Sequence, residues 1–183
     1  MLHIIKHFRT ITKHRHRVMI NCFKAGIPLQ GLLHDLSKYS PTEFIVGARY
    51  YQGYRSPNEY ERELIGYSRA WIHHKGRNPH HFEYWTDINR ETKLYEPVEM
   101  PIKYLTEMFC DRVAASKIYR GDAYTDSSAL EYYIHGQAAS KMHPKTAKLL
   151  EEWLRMLAKD GESKTFKYIK KINKQALSTG PAR

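Results

Sequence analysis

Two cysteines, Cys22 and Cys110, are all that the chain carries. A disulfide framework or a cysteine zinc site needs closely spaced pairs, so the two thiols fit reduced packing residues on helices better than either. Long apolar runs are also missing. Histidine, lysine and arginine interrupt Met1-Leu2-His3-Ile4-Ile5-Lys6-His7-Phe8-Arg9 before a signal-peptide core can form. No later stretch approaches the length that crosses a bilayer, so a cytoplasmic protein with no membrane partner is expected. Period-two alternation is nearly absent, which argues against a sheet. There is no internal repeat, low-complexity tract or interdomain linker, and the 42% hydrophobic content of 183 residues suits one packed domain. Acidic residues are scarce, 19 against 30 basic ones, for a net charge of +11. Such a surface attracts anions, whether nucleotide, nucleic acid or acidic membrane, and sign alone does not choose among them.

Helix signals fill the rest. Residues 3–25 form a long candidate helix that stops at Gly26, and Pro28 opens a short one carrying His34-Asp35. Ser40-Pro41-Thr42-Glu43 and Ser56-Pro57-Asn58-Glu59 read as capping boxes that start helices over 41–51 and 57–74. A short helix is expected from Asn78-Pro79 to Trp85 and a loop over 86–99, followed by helices over 101–119, 127–140, 144–159 and 164–176. The fold class is therefore all-α, a single helical bundle whose core spans about 10–120, with the helices of 127–176 packed on it. Five lysines between Lys164 and Lys174 flank Phe166, Ile169 and Ile172 at helical spacing, the pattern of a solvated helix face.

Histidine is abundant, eleven in all, and clustered. In Gly31-Leu32-Leu33-His34-Asp35-Leu36-Ser37-Lys38 an imidazole and a carboxylate adjoin each other after an apolar stretch. Burying such a pair costs several kcal/mol per group unless something satisfies it, and a divalent metal satisfies both. Periodicity supplies partners. His14 shares a stripe with Ile11, Val18, Cys22 and Ala25, whereas His16 lies about 200° away around the helix, which favours His14 over His16. Asp111 shares a face with Tyr104, Met108, Ala115 and Ile118; an ionised aspartate there demands an arginine or a metal, and its neighbour Arg112 points elsewhere.

In order, His14-x-x-x-Val18, His34-Asp35 and Asp111 resemble the H…HD…D signature of the HD superfamily of helical, metal-dependent phosphohydrolases. Leu33-His34-Asp35-Leu36-Ser37-Lys38 is similar to that family's LHDxxK stretch. The match covers about residues 10–120, and the gap from His14 to His34 is short for the family. The whole chain also looks like an uncharacterised family of small bacterial and phage HD-like proteins, for which no substrate is implied. Some HD proteins hold a second metal with two further histidines, and the cluster His73-His74-Lys75-Gly76-Arg77-Asn78-Pro79-His80-His81 resembles that extension. Spacing from Trp71 and Trp85 favours His74 and His81 as inward, with His73 and His80 either supporting the ligands from behind or facing substrate.

The expected ligand set is thus His14, His34, Asp35, His74, His81 and Asp111, with Asp35 bridging by resemblance. A mononuclear site with the extra histidines on substrate phosphate is the alternative. Mixed imidazole and carboxylate donors suit one or two ions of iron, manganese, cobalt, nickel or zinc. Such an ion lowers the pKa of its water to about 7 and neutralises phosphoryl charge, so hydrolysis of a nucleotide or other phosphoester is expected. Asp35 and Lys38 are the catalytic candidates, and Lys38, His73, Lys75, Arg77 and His80 the residues for an anionic small-molecule substrate. Glu43 is a candidate proton shuttle that its capping role alone would also explain. Two other classes fit: a di-iron oxygenase on the same fold, and a non-catalytic nucleic-acid module suggested by the charge, 14 tyrosines and Tyr50-Tyr51-Gln52-Gly53-Tyr54-Arg55.

Overall fold

Prolines and glycines punctuate the chain. In the computed structural model, which describes residues 2–178, α1 (Leu2–Ala25) ends at Gly26, whose φ of 81° suits a residue without Cβ. Proline occupies the first position of α2 (Pro28–Leu33), α3 (Pro41–Arg49) and α4 (Pro57–Ile65), where its missing N–H costs nothing. After α5 (Arg69–Lys75) come α6 (Ile102–Arg120), α7 (Ser128–His135) and α8 (Pro144–Ser178). The fold is all-α and single-domain, and among the described residues no helix is long and apolar enough to cross a membrane.

Four expected elements come out differently. The helix expected over 57–74 breaks at Gly66, which takes φ 82°, and restarts when Ser68 Oγ accepts from Trp71 N, giving α4 and α5. The stretch 78–85 holds a 3-10 turn, Phe82–Tyr84, in place of a helix. The loop over 86–99 contains a small antiparallel hairpin, β1 (Thr86–Ile88) with β2 (Tyr95–Pro97), in register Thr86 to Pro97 and Ile88 to Tyr95. The helix of 127–140 stops at His135, because Gln137 adopts a left-handed φ of 49° before a 3-10 turn at Ala138–Lys141. The helices expected over 144–159 and 164–176 are the two arms of α8, joined at a kink where Gly161 has φ 79° and ψ 170°.

The core lies where α1, α6, α7 and α8 meet. Val18 and Cys22 from α1, Phe109 and Val113 from α6, and Trp153, Leu157 and Ile169 from α8 are completely buried. Each large side chain there contributes about 1.5–3 kcal/mol. The far arm of α8 is pinned by polar bonds: Asn173 Nδ2 donates to the Ala25 carbonyl at 2.9 Å and its Oδ1 accepts from Thr106 Oγ1 at 3.1 Å. Lys164, Lys167, Lys170, Lys171 and Lys174 stay on the exposed face, as the spacing predicts.

α2 carries the chain from the core to His34 and packs very close to α1. A Cβ on Gly31 would lie 2.7 Å from Cys22 Cβ and 3.1 Å from both the Met19 Cα and carbonyl oxygen. Helix backbone cannot step aside as a side chain can. Gly31→Ala is expected to lower stability by about 1–3 kcal/mol, the usual cost of overpacking. Urea denaturation reads this directly, and an unchanged midpoint would show that α2 is free to move off α1.

Candidate metal centre

His34 and Asp35 stand on a turn, not within the helix that the sequence suggests. His34 is the residue at which α2 ends, with extended ψ of 129°, and Asp35 adopts the left-handed conformation, φ 54° and ψ 26°, before the 3-10 turn Leu36–Tyr39. Arg15 of α1 fastens this turn by donating Nε to the His34 carbonyl at 3.2 Å and Nη2 to the Leu32 carbonyl. Helix rotation therefore does not set the two directions; the turn sends both side chains inward, to 1% and 2% exposure.

Asp35 divides its two oxygens between two sets of imidazoles. Oδ2 lies 3.2 Å from His34 Nε2 and 3.8 Å from His14 Nε2, and His14 Nε2 is 2.9 Å from Asp111 Oδ1. Oδ1 lies 3.2 Å from His74 Nε2 and 3.4 Å from His80 Nε2, with His81 in the same set. Within each set, His14–His34–Asp35–Asp111 and Asp35–His74–His80–His81, the donor atoms lie within 4.8 Å of one another. The Nε2 atoms of all five histidines and both Asp35 oxygens are buried without a hydrogen-bond partner of acceptable geometry. Close ion-pair contacts stand there in place of well-directed hydrogen bonds, and a cation shared by nitrogen and carboxylate donors would satisfy these atoms together. These buried imidazole and carboxylate donors could hold a metal ion.

Carboxylates outside these sets aim the imidazoles. Glu107 Oε1 accepts from His34 Nδ1 at 2.9 Å and lies 3.1 Å from His80 Nδ1, leaving Nε2 of each ring to face Asp35. Glu43 does the same for the second set, with Oε2 2.8 Å from His74 Nδ1 and Oε1 2.7 Å from His73 Nδ1. Such partners hold ring orientation and raise ligand basicity. Glu43 is thus not the capping residue that Ser40-Pro41-Thr42-Glu43 suggests: Ser40 makes no side-chain cap bond and Glu43 is buried. At the other box Ser56 Oγ does accept from Asn58 N. Sequence reasoning missed Glu107; the available signal was a second carboxylate one turn before Asp111, inside the apolar run Leu105–Cys110.

The chain belongs to the family of unknown function DUF5662. The family model matches residues 3–156, which takes in every side chain of both sets and ends within α8. No curated protein and no solved structure matches the chain.

The buried charges of the family member's site shift one another strongly. Burial pulls the His34 imidazole down, but Asp35 and Glu107 outweigh it and raise its pKa to about 10. Burial works against ionisation of Asp35 and Asp111 too, yet His34 and Lys38 hold Asp35, and His14 holds Asp111, well below the usual carboxylate range. Burial and the neighbouring His80 and His74 push His81 well below the ordinary histidine value, so it is neutral, with a lone pair free. Lys38 Nζ sits 2.6 Å from Asp35 Oδ2.

A cleft of about 470 Å³ opens beside these residues, with His14, His74, His81, Asp111 and Lys38 in its wall. The placement corrects several expectations. His80, expected to face substrate, is 1% exposed and belongs to the second set, so both His80 and His81 are there. His73 is engaged by Glu43, and neither Lys75 nor Arg77 lines the cleft; Arg77 Nη1 donates to the His73 carbonyl. His14 is inward and His16 exposed, as periodicity requires. In the tyrosine-rich segment, Arg55 is spent on Glu63, at 2.5 and 2.7 Å, and on Gln52.

One histidine outside both sets carries a pH signature. His7 of α1 is buried against Phe44 and Tyr51, and burial, aided by the charge of Lys38, lowers its pKa to about 4. A lowered pKa means that the unfolded chain binds the proton more readily. The native state is therefore destabilised as pH falls from 6.5 to about 4, by up to about 3 kcal/mol. Denaturation midpoints across this window are expected to fall more for the wild type than for His7→Gln; parallel curves would refute the assignment.

Proposed function

We propose that the chain is a metal-dependent phosphohydrolase of the HD type, acting on a nucleotide or related phosphoester. The observation that carries this reading is Asp35, buried with one oxygen facing each of two imidazole sets, directly behind a cleft whose wall holds His14, His74, His81, Asp111 and Lys38. His14, His34, Asp35 and Asp111 would hold one divalent transition ion, and Asp35, His74, His80 and His81 a second. Bound there, such ions supply a water-derived nucleophile at neutral pH and neutralise phosphoryl charge. Glu107 and Glu43 keep the rings oriented, so the donors need no reorganisation during the reaction. Lys38 keeps Asp35 ionised and adds positive charge where a phosphate would enter.

The test pairs metal analysis with a phosphoester screen on protein reconstituted with iron, manganese, cobalt, nickel or zinc. Retention of one or two equivalents, with phosphate release abolished by chelator and restored by metal, is the expected result. Metal retention with oxygen uptake and no phosphate release would assign the chain to di-iron oxygenases instead. Failure to retain any transition metal would remove the basis of the proposal.

A further inference from the structure

The cleft extends past both imidazole sets along α6 to α7 and the turn after it, and there it meets cations that form no ion pair among the described residues. Arg112, one residue beyond Asp111, lines the cleft with its guanidinium 5.7 Å from the Tyr133 ring centre. Its Nε is buried and without a hydrogen-bond partner, and among the described residues no carboxylate lies within ion-pairing distance of it. Lys141, exposed on the 3-10 turn Ala138–Lys141, lines the same cleft and has no ion pair among the described residues. By contrast, the cleft arginines Arg55 and Arg120 are committed to Glu63 and Glu131. Glu83 shares the wall of Arg112, its Oε2 buried and unpartnered, so it weakens the local field without neutralising it. A planar guanidinium held half-buried and unpaired is suited to grip a carboxylate or phosphate through two parallel bonds.

We propose that Arg112, assisted by Lys141, forms a distal anion subsite, so that the substrate is a phosphoester bearing a second anionic group away from the scissile bond. The inference rests on the phosphohydrolase reading for the role of the first group, and on the cleft alone for the second.

Binding of non-hydrolysable probes separates the two. Calorimetry on metal-loaded protein would compare alkylphosphonates with ω-phosphonoalkanoates and α,ω-bisphosphonates over a series of chain lengths. One length of doubly anionic probe is expected to bind about ten- to a hundredfold tighter than the matching alkylphosphonate, the worth of one charge-assisted hydrogen-bond pair. Arg112→Gln should erase that gain and leave alkylphosphonate affinity and metal content unchanged. Lys141→Gln, on an exposed turn where folding is not at issue, should reduce it in part, and Glu83→Gln should increase it. Preference for the carboxylate or the bisphosphonate series tells which anion the subsite takes. Equal affinity for singly and doubly anionic probes at every length, or a gain that survives Arg112→Gln, overturns the subsite, as does failure of every probe to bind. Two-point binding without any phosphate release would leave the subsite standing and sink the hydrolase reading; turnover without two-point binding would do the reverse.

Discussion

On the proposed phosphohydrolase reading, Asp35→Asn is expected to lower metal affinity in both ligand sets at once and to cut turnover by about 10³-fold. Both effects follow from the division of one carboxylate between two groups of imidazoles, Oδ2 toward His34 and His14, Oδ1 toward His74 and His80. Asparagine keeps the shape and tolerates the left-handed backbone at this position, φ 54°, better than other non-glycine residues. What it removes is the negative charge and one of the two equivalent oxygens. Loss of a metal that supplies several kcal/mol of transition-state stabilisation corresponds to a rate loss of that size. Mass-spectrometric metal content, alongside a thermal melt confirming the fold, decides the matter. Wild-type metal loading in Asp35→Asn would mean that the two sets do not depend on a shared carboxylate.

Glu107→Gln should weaken metal binding about ten- to a hundredfold, the usual consequence of removing a carboxylate that orients metal-ligating histidines. One oxygen of Glu107 faces Nδ1 of both His34 and His80, and these rings belong to different sets, so both should be affected. Glu43 touches only His74 among the proposed ligands, so Glu43→Gln should weaken the second set and spare the first. Competition against a chelator with two-site fitting distinguishes the cases. Identical behaviour of the two variants would show that the sets are not separately supported.

The different reach of periodicity explains which residues could be foreseen. His14 and Asp111 lie within long helices, where a residue's face follows from its spacing to Val18 and Cys22, or to Met108 and Ala115, so their inward placement was legible. Between Ser37 and Phe82 the elements are short and broken by turns, and spacing loses its authority. There spacing leaves His80 outside the ligand set, behind it or toward substrate, although it is buried beside Asp35, and it offers Glu43 as a proton shuttle or a cap, although Glu43 holds His73 and His74. Proximity in sequence alone puts Lys75 and Arg77 at the cleft, and neither lines it.

The helical class, the absence of a disulfide or zinc-thiolate framework and the candidacy of His14, His34, Asp35, His74, His81 and Asp111 were all determined by composition, helix punctuation and an ordered motif, which are local properties of the chain. Three things required the tertiary structure: that Asp35 serves both imidazole sets, that Glu107 and Glu43 orient them, and that Arg112 stands unpaired farther along the cleft. Each depends on distances between residues tens of positions apart, such as the 73 separating His34 from Glu107, and only the packing of α2, α3, α5 and α6 against one another brings such atoms into contact.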